Sequence, residues 1–230
     1  MTITLITGGN KGLGYETARR LIELGHKVYI GARNENRGQI ASDELGANFV
    51  LLDVTNDKSV NDAAAQIEKI EGRLDVLINN AGISGGFSKP DKVTVDDMHE
   101  IYETNVFGVV RVTNAFLPLL RKSDAPVIVN VTSGLGSFGM VTNPDTMESK
   151  VNSLAYCSSK SAVTMLTLQY AKGLSDIRVN AADPGATKTD LTGFGAQTVT
   201  EGTDAIVKLA TIGKDGPTGI FINRKGNVPW

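Results

Sequence analysis

Tyr156 and Lys160, four residues apart, are the pair in this chain best suited to moving a proton. On a helix they fall one turn apart on the same face, which sets an ammonium beside a phenol. A free phenol titrates near about pH 10, so exchange near neutrality requires tuning, and the role expected of Lys160 is to stabilise the phenolate and lower that pKa. Ser133, closing the run Val131-Thr132-Ser133, offers a hydroxyl to orient a carbonyl oxygen as negative charge develops on it. Ser137 is the rival for that role. The plainer reading makes Ser133 a strand-end cap and Tyr156 with Lys160 an ordinary amphipathic pair. Cys157 has no histidine motif to activate it, and no spacing of His26 or His99 with Cys, Asp or Glu suggests a metal site.

A carbonyl protonated in this way also needs a hydride. The run Thr7-Gly8-Gly9-Asn10-Lys11-Gly12-Leu13-Gly14 falls between an apolar run and a helical pattern, where glycines let backbone amides approach a pyrophosphate. Its glycines follow G-x-x-x-G-x-G rather than the commoner G-x-G-x-x-G, so a bare turn is the competing reading. After the next apolar run, Gly31-Ala32-Arg33 carries no acid to bind the 2′-hydroxyl of NAD. Arg33 suits the 2′-phosphate of NADP(H), Lys11 is placed to reach the same group, and Arg37 is a weaker third candidate. Asp53-Val54 and Asn80-Ala81-Gly82 follow two further apolar runs, where they are expected either to line the cofactor cleft or only to cap and turn the chain.

These residues need a scaffold that brings them together. Short β-branched or apolar runs at 3–7, 27–30, 48–52, 76–79, 127–132, 178–182 and 219–222 alternate with helical patterns at 14–24, 59–71, 95–112 and 155–174. That alternation predicts one α/β domain, a doubly wound Rossmann fold with a mostly parallel seven-stranded sheet and helices on both faces. Several strands are apolar throughout, as burial on both faces demands. Thr55 and Asp57 are the expected caps of the helix at 59–71. Ligands in such sheets bind beyond the carboxyl ends of the strands, so active-site loops are expected at about 84–93, 134–153 and 187–200. Phe87, Phe138, Met140 and Phe194 in or beside those loops hint at an apolar pocket.

In order, TGGNKGLG, Asp53, NNAG, Asn105, Ser133, Tyr156-x-x-x-Lys160 and Asp183-Pro184-Gly185 resemble the motif series of the short-chain dehydrogenase/reductase family across nearly the whole chain. Lys11 with Arg33 is similar to the NADP(H)-preferring, carbonyl-reductase-like members, as is the ending Val228-Pro229-Trp230. The resemblance implies that Asp53 holds the adenine, that Asn80, Ala81 and Gly82 pack along the ribose, and that Pro184, Gly185, Thr187 and Thr189 embrace the nicotinamide end. It assigns Asn105 to a water relay feeding Lys160, and has Lys160 also bind the nicotinamide ribose. Two departures stand out: the stretch between Ser133 and Tyr156 is longer than in the shortest members, and the segment after Thr189 is short. The activity implied is NADPH-dependent reduction of a ketone or aldehyde. An NAD-linked alcohol dehydrogenase and a non-catalytic NADP(H)-sensing protein are the alternatives. The family pairs through the helices carrying Asn105 and Tyr156, so a homo-oligomer and a monomer both remain open.

Composition narrows the setting. The 230 residues carry 23 basic and 25 acidic side chains, and no basic field invites nucleic acid. No apolar run is long enough to span a membrane. A lone cysteine needs no oxidising compartment, and the short apolar start before the glycines does not suit a secretory leader, so a cytoplasmic location is expected.

Overall fold

The computed structural model describes residues 1–230 apart from Phe87, Leu191 and Phe194, so the aromatic pair Phe87 and Phe194 named above lies outside the described residues. Seven parallel strands form, close to the expected positions: β1 (Ile3–Thr7), β2 (Lys27–Ala32), β3 (Asn48–Leu51), β4 (Val76–Asn79), β5 (Val127–Val131), β6 (Arg178–Ala182) and β7 (Phe221–Asn223). A two-residue eighth strand, β8 (Gly226–Asn227), turns back antiparallel on β7 and adds to the seven expected. The order β3-β2-β1-β4-β5-β6-β7-β8 reverses direction between β1 and β4, which opens a crevice at their carboxyl ends.

The helices are α1 (Gly12–Glu23), α2 (Glu35–Leu45), α3 (Asp57–Glu71), α4 (Val95–Tyr102), α5 (Gly108–Leu120), α6 (Phe138–Val141), α7 (Leu154–Gly173), α8 (Val199–Gly202) and α9 (Asp204–Ala210). They cover the sheet on both faces because each strand alternates its apolar side chains. Ile3 and Leu5 pack into one core with Val60 and Ile67 of α3 and Val112 and Phe116 of α5. Ile6 packs into the other with Ala18 and Leu21 of α1 and Ile206 and Leu209 of α9. The cap of α3 differs from expectation: Asn56 accepts from the Ser59 amide at 2.9 Å, while Thr55 turns back to donate to Asp53 Oδ1. Asn56 sits immediately before the first helical residue, the position from which a short side chain reaches those amides.

Buried polar contacts fix α7 against β5. Asn79 donates to Asn130 Oδ1 at 2.8 Å across the β4–β5 register, and Asn130 donates on to Thr167 of α7 at 2.9 Å. Thr132, just beyond β5, bonds the Lys160 carbonyl at 3.0 Å and the Thr164 hydroxyl at 2.8 Å. Unpaired, such buried groups would cost about 1–3 kcal/mol each, so this network defines one seating for the helix. Among the described residues no helix is long and apolar enough to cross a membrane.

Candidate active site

A cleft of about 500 Å³ lies over the crevice between β1 and β4. Its floor begins at the glycine turn. Gly8 and Gly12 adopt the left-handed backbone (φ 65° and 56°) that a side chain would strain, and Lys11 stands extended as the residue capping α1. Gly14 is needed for space: a β-carbon there would lie 2.5 Å from the Gly8 carbonyl and 2.6 Å from Asn80 Nδ2. Asn80 is the residue that holds the turn, donating to the carbonyls of Thr7 at 2.9 Å and Gly8 at 3.2 Å. Thr7 Oγ1 reciprocates by accepting from the Asn80 and Ala81 amides, both at 3.0 Å. The ends of β1 and β4 are thereby locked at the point where the strand order reverses. This backbone cradle, at the positive end of α1, fits the pyrophosphate of a dinucleotide.

The other expected cofactor residues distribute unevenly. Gly8, Asn10, Lys11, Gly12 and Leu13 line the cleft, as do Arg33, Asp53, Val54, Asn80, Ala81 and Gly82. Pro184 and Thr189 line it from the opposite side. Gly185 and Thr187 do not. The Thr187 hydroxyl is buried, donating to the Pro184 carbonyl at 3.0 Å and accepting from Gln197 at 2.9 Å, because the segment after β6 closes a turn on itself. Arg37 lies in the first turn of α2, away from the cleft wall. Lys11 is not a free cation here: its ammonium sits 3.1 Å from Asp190.

Tyr156 and Lys160 line the same cleft from the N-terminal part of α7. Lys160 Nζ is 5.7 Å from the centre of the Tyr156 ring and donates to the Val131 carbonyl at 3.0 Å. Burial pushes the phenol well above its ordinary pKa, with the Ser133 hydroxyl pulling it down and the Asp183 and Cys157 charges pushing it further up. The lowering expected from Lys160 is absent. Its ammonium is turned to a backbone carbonyl and, through burial, is itself depressed to about 8. Ser133 accepts from the Leu135 amide at 3.2 Å at the end of β5. Ser137 is excluded as its rival, since it is fully buried, accepts from the Met140 amide at 3.0 Å and donates to the Pro229 carbonyl.

Asn105 lies in a single π-helical turn, Glu103–Phe107, between α4 and α5. Such a turn aims a side chain that a regular helix would carry past its target. The Asn105 amide closes a ring with Ile83, accepting from its amide at 2.8 Å and donating to its carbonyl at 2.9 Å. It also donates to Ser159 at 3.0 Å, and Ser159 donates to the Tyr156 carbonyl at 2.8 Å. Asn105 therefore braces α7 and the strand end at Gly82, where an added β-carbon would lie 3.3 Å from Asn105 Oδ1 and 3.6 Å from Lys160 Nζ. Sequence reasoning gave no part to Ser159, Thr132 or Gly136. A β-carbon on Gly136 would come within 2.5 Å of the Lys160 backbone, so this glycine permits the turn after Ser133 to press on α7. A second glycine five residues past the end of β5 was the signal available.

The apolar pocket hinted at by Phe138 and Met140 does not form between them. Phe138 is 70% exposed, and Met140 packs instead against Ala181, Phe221 and Val228. Among the described residues no group of three or more His, Cys, Asp or Glu side chains converges as metal ligands.

With this geometry in place, the model of the family described as short chain dehydrogenase matches residues 2–199. The chain belongs to that family of oxidoreductases. It is 39% identical over 225 residues to the short-chain dehydrogenase anuI of Penicillium roqueforti (strain FM164), covering 92% of this chain and 89% of that one. The crystal structure of NADPH-bound carbonyl reductase from chicken fatty liver superposes with a TM-score of 0.87 at 30% identity, covering 100% of both chains. The 3-ketoacyl-(acyl-carrier-protein) reductase of Brucella melitensis, complexed with NADH, gives a TM-score of 0.86 at 25% identity and covers 96% of each chain.

Proposed function

We propose that this oxidoreductase uses NADPH to reduce a ketone or aldehyde to an alcohol. The observation that carries the reading is the meeting of the Tyr156 phenol, bonded by the Ser133 hydroxyl, and the Lys160 ammonium in a cleft also lined by Arg33 and Lys11. The NADPH-bound carbonyl reductase supports the cofactor, while the NADH-bound relative keeps an NAD-linked alcohol dehydrogenase as the second reading.

When bound, the nicotinamide supplies the hydride. The glycine turn binds the pyrophosphate through backbone amides and the α1 N-terminus. Asp53, Val54, Ala81 and Gly82 flank the adenosine, Pro184 and Thr189 close the opposite side, and Arg33 takes the 2′-phosphate. Gly185 and Thr187 act indirectly, by shaping the turn that carries Thr189. Ser133 donates a hydrogen bond to the substrate oxygen, and Tyr156 passes its proton to that oxygen as negative charge develops. Asn105 holds the turn at Ile83 and the start of α7 so that this set keeps its spacing. Lys160 binds the nicotinamide ribose.

Burial keeps Tyr156 in its acid form at neutral pH but also makes the phenol a weaker proton donor, so the raised pKa does not by itself select the direction of the reaction. Alcohol oxidation needs the phenolate, so its rate rises with pH while reduction does not. A panel of aromatic and aliphatic ketones and aldehydes, with NADPH against NADH, tests the reading. Turnover lost in Tyr156→Phe and a shift toward NADH in Arg33→Asp are the expected results. Activity that survives Tyr156→Phe overturns the mechanism, and cofactor binding without turnover on any carbonyl favours a sensor.

A further inference from the structure

The ion pair between Lys11 and Asp190 joins two residues of the cleft lining that lie 179 residues apart in sequence. The contact has a built support. A β-carbon on Gly12 would lie 3.8 Å from Thr189 Cβ, so the glycine turn and the segment after β6 already meet beside the pair. That segment is folded on itself: Thr192 accepts from the Thr189 amide at 3.0 Å and donates to the Thr187 carbonyl at 2.7 Å, which presents Asp190 toward Lys11. Three basic side chains line the cleft, Lys11, Arg33 and Lys160, against the acids Asp53, Glu100 and Asp190. Among the described residues Arg33 makes no ion pair, whereas Lys11 is engaged before any anion arrives.

We propose that Asp190 is a cofactor-selectivity residue: it holds the Lys11 ammonium, so that the 2′-phosphate of NADP(H) obtains this second cation only in competition with a carboxylate. The inference rests on the NADP(H) reading above. NADH carries no such phosphate and leaves the pair intact. Asp190 therefore narrows the preference for NADP(H) that Arg33 establishes, and lets the phosphorylated dinucleotide leave more readily than two unopposed cations would. The pair is open to solvent, with side chains 60% and 78% exposed, so its effect is modest and falls as salt screens it.

Fluorescence titration with NADPH and with NADH, at low and high salt, reads this directly on the free protein. Asp190→Asn is expected to tighten NADPH about two- to fivefold at low salt, to leave NADH unchanged, and to lose its effect in a Lys11→Ala background. An unchanged NADPH-to-NADH ratio, a parallel weakening of both cofactors, or a gain that persists without Lys11 overturns the proposal. Wild-type protein that binds both dinucleotides equally, together with an Arg33→Asp variant that changes nothing, refutes the NADP(H) reading itself. That result differs from a silent Asp190→Asn in a protein that prefers NADPH.

Discussion

Replacing Lys160 with methionine should abolish turnover and yet stabilise the fold at neutral pH. The side chain is 5% exposed, its ammonium donates to the Val131 carbonyl, and no carboxylate pairs with it among the described residues. Burial moves its pKa from 10.5 to about 8. At about 1.4 kcal/mol per pKa unit, this depression corresponds to about 3 kcal/mol of instability in the free protein. The folded value lies below the unfolded one, so the penalty is complete below the folded pKa of about 8 and disappears as the pH rises through 10.5. Methionine is of similar length and leaves the Val131 carbonyl without this donor, a loss of about 1–3 kcal/mol, so the net gain near neutrality is at most about 2 kcal/mol. Urea unfolding without cofactor, comparing Lys160→Met with wild type at about pH 7 and about pH 10, isolates the group because other titrations cancel in the difference. The advantage should shrink to nothing at the higher pH. A variant less stable than wild type at neutral pH, or equally advantaged at both, would refute the reasoning.

Three further substitutions probe the scaffold of the site. Gly14→Ala puts a β-carbon against the Gly8 carbonyl and Asn80 Nδ2, and should weaken NADPH at least about tenfold in a binding titration while costing about 1–3 kcal/mol of stability; unchanged binding would show that the glycine turn has slack. Asn105→Ala strands the amide and carbonyl of Ile83 and should cost about 1–3 kcal/mol in urea unfolding, a cost that Asn105→Asp does not recover because its second oxygen faces the Ile83 carbonyl in a buried site. Ser133→Ala should lower kcat by about 10²-fold and also lose the cap it gives the Leu135 amide. Ser137→Ala should lose about 1 kcal/mol of stability with turnover retained, since Ser137 caps α6; equal kinetic losses in the two would return Ser137 to candidacy.

What the sequence determined by itself was whatever rests on local period. Ile3–Thr7, Val76–Asn79 and Arg178–Ala182 form strands at the expected positions because apolar runs bounded by turn residues leave a parallel, doubly covered strand as the way to bury both faces. The four-residue spacing puts Tyr156 and Lys160 on one helical face wherever that helix sits. The strand-helix alternation likewise sends the glycine turn, Arg33, Asp53 and Asn80 to one end of the sheet. Tertiary structure decided what each polar group is spent on. Asn80 holds the carbonyls of the glycine turn, Thr187 turns into its own loop, and Lys11 meets an acid 179 residues away. The sequence prefers Ser133 to Ser137 only by its place at the strand end, and the cap on Met140 and the approach of Pro229 commit Ser137 to structure. The π-helical turn that aims Asn105 leaves no mark in a hydrophobic pattern. The proton chemistry shows the division most sharply: the sequence placed an ammonium beside a phenol, but burial, a property of the whole packed chain, drives the phenol up and the ammonium down.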